Sequence, residues 1–138
     1  MRFASGKTIT MSISSLLGLA SANAWAVDHA VTVGGSGNVF TPSTLAIAAG
    51  DTVTFTNAGG FHNVTSDPGA VTSFHCSDAC GPAPTGNPSG NLWSQTITFP
   101  DVGTIGFFCE AHGGPGGQGM SGVITVTVPV ELQSFEVD

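Results

Sequence analysis

From Val31 onward the chain is written in short stretches that alternate apolar and polar residues, punctuated by glycine and proline, and no stretch repeats with helical period. Asp51 to Asn57 sets Val53 and Phe55 on one face and Thr52, Thr54 and Thr56 on the other; later, Val123, Thr125 and Thr127 oppose Ile124, Val126 and Val128. Similar segments run Val31 to Gly34, Leu45 to Ile47, Phe61 to Ser66, Trp93 to Phe99 and Thr104 to Cys109. Turn signals fall between them at Gly35-Ser36-Gly37-Asn38, Ala49-Gly50-Asp51 and Ala58-Gly59-Gly60. Seven or eight short strands at this spacing predict an all-β fold, a Greek-key antiparallel β-sandwich burying one core between its sheets. Residues 67–90, dominated by proline, glycine, serine and asparagine, read as a long surface excursion beyond the usual loop length of a compact domain. The acidic end, Glu131 to Asp138, reads as a final edge strand or a frayed end.

Residues 1–26 read as an export signal and are set aside from the fold. Arg2 and Lys7 supply a positive start, Ile9 to Ala22 is apolar and small, and Ala24-Trp25-Ala26 offers a small-x-small cleavage site. A cut after Ala24 is nearly as good. A membrane anchor is the competing reading, but the apolar stretch is shorter than the roughly 20 residues a span needs and carries several serines. Residues 27–138 then form one domain in a periplasmic or secreted compartment. Removing the signal removes both basic residues and leaves all nine carboxylates. Without lysine or arginine there is no phosphate clamp, so nucleic acid is excluded as a partner and an anionic membrane surface is disfavoured. A protein partner would present a basic face and meet this one in a salt-dependent way, or the charge serves solubility alone. The chain is expected to act as a monomer.

Cys76, Cys80 and Cys109 make an odd count for an exported protein. A local Cys76–Cys80 disulfide in a turn-rich segment is the simplest assignment and frees Cys109 for chemistry. Half a zinc site built from His75, Cys76 and Cys80 is the alternative; it lacks a second ligand pair elsewhere. The run Phe107-Phe108-Cys109-Glu110-Ala111-His112 leads through glycines to Met120 and a β-branched strand, and His62 follows a β-patterned segment far upstream. One thiolate, two imidazoles and a thioether are the ligands of a blue-copper centre, trigonal His₂Cys with a weak axial sulfur. Singly, each residue has a blander reading: a buried cysteine, a hydrogen-bonded histidine, a core methionine. Together and in this order they point to a metal.

At these residues the chain resembles the cupredoxins, the small blue-copper proteins of the plastocyanin, pseudoazurin and plantacyanin type. Phe40-x-Pro42, Gly50-Asp51-Thr52-Val53-Thr54-Phe55, Phe61-His62-Asn63-Val64 and the run from Phe107 through Gly119-Met120-Ser121-Gly122 carry the resemblance over nearly the whole of residues 27–138. It implies His62, Cys109 and His112 as equatorial copper ligands and Met120 as the axial one. It also implies that Asn63 braces the ligand loop and bonds near the cysteine sulfur. One departure stands out: seven residues separate His112 from Met120 where plastocyanin-like members have four. The longer loop brings in Gln118 as a competing axial ligand. His29 reads as a solvated terminal residue and His75 as surface beside the disulfide. The Asn63-Val64-Thr65 sequon is discounted beside a ligand.

The leading function is an exported single-electron carrier binding one copper, not an enzyme. Periplasmic copper storage or delivery is the alternative, which a rigid site from distant segments argues against. A catalytic oxidase or nitrite reductase module would need further histidine clusters, and only four histidines are present. A metal-free adhesion module, and Cys109 as a nucleophile without an acidic orienter, are weaker still. Zinc also occupies Cys-His₂ sites, but the thioether favours copper.

Overall fold

The computed structural model describes residues 25–129; the expected export signal, but for its last two residues, and the tail from Glu131 lie outside them. Among the described residues are nine strands: β1 Asp28–Val33, β2 Phe40–Thr41, β3 Thr44–Ala48, β4 Thr52–Asn57, β5 Val64–Ser66, β6 His75–Cys76, β7 Ser94–Thr98, β8 Gly103–Gly114 and β9 Gln118–Thr127. They form a four-stranded sheet ordered β2-β1-β4-β7 and a five-stranded sheet ordered β3-β9-β8-β5-β6. No helix among these residues is long and apolar enough to cross a membrane.

Period-two alternation decides which side chains meet between the sheets. Val31, Val33, Val53, Phe55 and Ile97 face inward from the first sheet; Ile47, Val64, Ile105, Phe107, Ile124 and Val126 face inward from the second, all buried. Phe107 is the meeting point, edge-on to Phe40 at 4.9 Å and to Phe55 at 5.4 Å between ring centroids. The row Ile105, Phe107, Cys109 continues along β8, so the thiol lies on the inner face at one end of the core.

The sandwich is the expected one, but its sheets are mixed. β1 runs parallel to β4, from Asp28↔Thr52 to Val33↔Asn57, and β3 runs parallel to β9, from Thr44↔Val123 to Ala48↔Thr127. Between β1 and β4 the chain passes into the other sheet to form β3, so β4 re-enters beside β1 in the same direction; alternation within single strands carries no trace of this. The excursion 67–90 is also more ordered than its composition suggests, since it contributes β6, paired with β5 through Val64↔Cys76 and Thr65↔His75.

The parallel pairing corrects the reading of His29. Its Nε2 lies 2.9 Å from Asp51 Oδ2, and its side chain is only partly exposed. Asp51 also accepts from the Val27 and Ala48 amides at 3.0 and 3.1 Å. Burial works to raise its pKa, but these hydrogen bonds and the nearby histidine outweigh it and hold the carboxyl below its ordinary value. Asp51→Ala is expected to cost about 2–3 kcal/mol in denaturant unfolding, the range for losing hydrogen bonds to a charged group. Because the folded pKa is depressed, this contribution is present above the ordinary value of 3.8 and is lost as pH falls through the lowered one. Acid titrations of the parent should therefore show a loss of stability that the variant lacks.

Candidate metal centre

Three donor side chains converge where the inner row of β8 ends. His62, Cys109 and His112 bring their ligand atoms within 4.8 Å of one another. Both imidazoles turn Nδ1 toward the thiol: Cys109 Sγ is 3.7 Å from His62 Nδ1 and 3.7 Å from His112 Nδ1. The two rings lie 4.9 Å apart between centroids. Sulfur and nitrogen bonded to one metal at about 2.3 and 2.0 Å, with a trigonal angle between them, stand about 3.7 Å apart. The donors fit a shared metal ion. They fit a cysteine nucleophile less well, since the carboxylate of the adjacent residue, Glu110, bonds Asn63 and His75 and not either imidazole of the group.

The ladder between β8 and β9 creates the opening. It runs regularly from Gly103↔Val126 to Phe108↔Ser121 and resumes at Gly113↔Gly119, so Cys109, Glu110, Ala111 and His112 stand opposite Met120 alone. A local excess of residues on one strand is a bulge, and it re-aims side chains that a regular strand would alternate. Strand pairing thus extends past His112, where a loop was expected, and the turn is confined to Pro115-Gly116-Gly117. Met120 is buried at this break, at 3% exposure, whereas Gln118 is exposed. The longer glycine-rich connection is taken up by the hairpin and returns Met120 to the inner side.

His62 is fixed from several directions. Its amide donates to the Ser89 carbonyl at 3.1 Å, and its own carbonyl accepts from the Ser89 amide at 3.0 Å and from Trp93 Nε1 at 3.1 Å. Gly34 and Gly60 make room for the ring: both have left-handed φ, +67° and +101°, and a Cβ on either would collide with His62 Nε2. Burial lowers the His62 pKa, the neighbouring His112 lowers it further, and a hydrogen bond to the Gly59 carbonyl opposes them. The net effect favours the neutral imidazole that a metal requires. Cys109 is fully buried and His62 nearly so, while His112 is only partly covered.

Asn63, fully buried, spans from one donor segment to the other. Its Oδ1 accepts from the Glu110 amide at 2.9 Å, and its Nδ2 donates to Glu110 Oε2 at 2.6 Å and to the Gly86 carbonyl at 3.0 Å. The bracing role is therefore exercised on the residue after Cys109, and the sequon's asparagine is closed to a glycan. His75 is a half-buried, doubly bonded residue and not a free surface one. Nδ1 bonds the Gly81 carbonyl at 2.7 Å and Nε2 the Glu110 carboxylate at 2.8 Å, with the side chain 19% exposed. The Cys76–Cys80 disulfide is present and Cys109 is the free, buried thiol among the described cysteines. The His75–Glu110 pair escaped the sequence reading because it joins residues 35 positions apart. A histidine beside a bridged cysteine was the one available hint.

A family model of copper-binding proteins, the plastocyanin/azurin family, matches residues 27–127. A chloroplastic plastocyanin of Physcomitrium patens is 41% identical over 123 residues, covering 88% of this chain and 69% of that protein. Among solved structures, pseudoazurin from Hyphomicrobium denitrificans superposes with a TM-score of 0.53 at 22% identity, over 72% of this chain and 75% of the other. A copper-containing nitrite reductase from Thermus scotoductus gives 0.53 at 24% identity over 75% of this chain, which spans 23% of the reductase. The structural likenesses speak to the fold. The chain belongs to the plastocyanin/azurin family of copper-binding proteins, and its fold is the cupredoxin β-sandwich.

Two outcomes follow at the site. Gly60→Ala should displace the His62 ring and weaken metal binding by at least about tenfold in competition titrations, while the ladder at Ile47 and Val126 keeps its amide protection. The His75 pKa is pushed down by burial but raised overall by the Gly81 carbonyl and the Glu110 carboxylate. Its ring should titrate in nitrogen-15 NMR above the ordinary 6.5, and the stability it contributes is full below 6.5 and lost as pH rises through the raised value.

Proposed function

We propose that the protein is an exported electron carrier in which His62, Cys109 and His112 hold one copper ion in a trigonal arrangement, with Met120 as the weak axial ligand. The observation that carries this reading is the convergence of both Nδ1 atoms on one buried thiol. Copper bound there would supply a Cu(I)/Cu(II) couple whose two states share one set of soft and borderline ligands. The chain's own contribution is rigidity. Cys109 stands on a paired strand, His62 is tied through its backbone to Ser89, and Asn63 joins the two donor segments. Little has to move when the charge changes.

His112 is the donor with an edge toward solvent, beside the small residues of the Pro115-Gly116-Gly117 turn, and is the natural point for an electron to enter or leave. The burial of Met120 and the exposure of Gln118 favour methionine as the axial ligand. A redox protein with a basic docking face suits a partner surface that carries carboxylates and no lysine or arginine after residue 7; its association should weaken with salt. The Cys76–Cys80 disulfide supports residues 1–26 as a signal and a periplasmic or secreted location for the rest. Storage or delivery of copper fits less well, because donors from separated, cross-braced segments resist release.

Adding one equivalent of Cu(II) to the metal-free protein should produce an intense visible thiolate-to-copper band and a narrow copper hyperfine splitting in paramagnetic resonance. Cys109→Ser should abolish both. Met120→Gln should keep the band and lower the reduction potential. A blue Cys109→Ser protein would sink the ligand assignment.

A further inference from the structure

The excursion 67–90 grips the donor segments at several separate points. Ser89 pairs with His62, the Gly86 carbonyl takes a hydrogen bond from Asn63, Asp67 Oδ2 accepts from the Gly116 amide at 3.0 Å, and His75 reaches Glu110. Of these, the last is made by a side chain that a short disulfide loop holds in place. Cys76, the next residue, is bridged to Cys80, and the Gly81 carbonyl that receives His75 Nδ1 follows directly.

We propose that His75 is a positioning residue for the copper centre: held by the Cys76–Cys80 loop, it fixes the Glu110 carboxylate and, through it, Asn63 and the backbone that carries Cys109. The proposal rests on the reading of Cys109 and His62 as ligands. The hydrogen-bond chemistry is specific. A carbonyl oxygen and a carboxylate can only accept, so the His75 ring satisfies both at once when it is protonated on both nitrogens. No lysine or arginine exists beyond residue 7, which leaves histidine as the only cationic side chain there that this carboxylate can meet.

One oxygen, Glu110 Oε2, collects both the His75 and the Asn63 donors, at 2.8 and 2.6 Å. The Glu110 side chain is 40% exposed and without His75 would be held by the Asn63 donor alone. Charge-assisted bonds of this kind are stronger than neutral ones and fix geometry as well. Asn63 closes the ring by accepting from the Glu110 amide, so the residue after His62 and the residue after Cys109 are locked to each other. Gly86 permits the close approach, since a Cβ there would collide with the His75 backbone and ring.

The test uses His75→Ala and His75→Gln in the full chain, the glutamine being able to keep one donor toward Glu110. In the metal-free protein, amide exchange at Glu110 should accelerate at least about tenfold in the alanine variant and recover in the glutamine variant. Protection at Ile47 and Val126, at the far end of the second sheet, should be unchanged. In the Cu(II)-loaded protein the alanine variant should shift the thiolate band and widen the copper hyperfine splitting, and glutamine should restore both in part. Parent-like exchange and parent-like spectra in His75→Ala would overturn the proposal. So would equal acceleration at Ile47 and Val126, which would make His75 a general stabilising residue. If the parent itself gave no thiolate band, the ligand reading would fail while the exchange experiment still reported on positioning.

Discussion

The structure depends on one break in one ladder. β8 and β9 pair residue for residue up to Phe108↔Ser121, and then four residues of β8 stand opposite the single residue Met120 before pairing resumes. The regular part keeps period two, which delivers Cys109 to the inner face behind Ile105 and Phe107. The irregular part brings His112 round so that its Nδ1 also meets the thiol. A ladder without the break would place Cys109 and His112, an odd number of residues apart, on opposite faces of the sheet. The hydrophobic core and the metal centre are thus two ends of the same strand.

Around that break, the rest of the molecule restricts motion. His62 comes from the segment between β4 and β5 and is held by paired hydrogen bonds to Ser89, by the Trp93 indole and by the space that Gly34 and Gly60 leave. Asn63 then links it to Glu110, so neither donor segment can shift alone. The excursion 67–90 reinforces both. An insertion that looks like surface decoration by composition is, by its contacts, an outer frame of the site.

Much of the architecture and the Cys109–His112 end of the candidate site could be read from residues alone, because both rest on short-range patterns. Val53 and Phe55 face inward as their alternation requires, and Cys109 and His112 are separated by a spacing with few other uses. What could not be read is long-range. The parallel placement of β1 beside β4 is a matter of which sheet the intervening chain visits, and with it comes the His29–Asp51 contact. The His75–Glu110 pair likewise needs a strand register that brings β6 beside β5 and β5 beside β8. The burial of Met120 and the exposure of Gln118 are the same kind of fact, since they follow from the hairpin register.

The central claim is that one buried thiolate and two imidazoles bind the same copper ion. X-ray absorption at the copper edge of the Cu(I)-loaded protein tests this most directly, because it counts neighbours by element and distance. The account predicts one sulfur scatterer near about 2.2–2.3 Å and two imidazole nitrogens near about 2.0 Å. A first shell of nitrogen and oxygen alone, with no short sulfur, would contradict it.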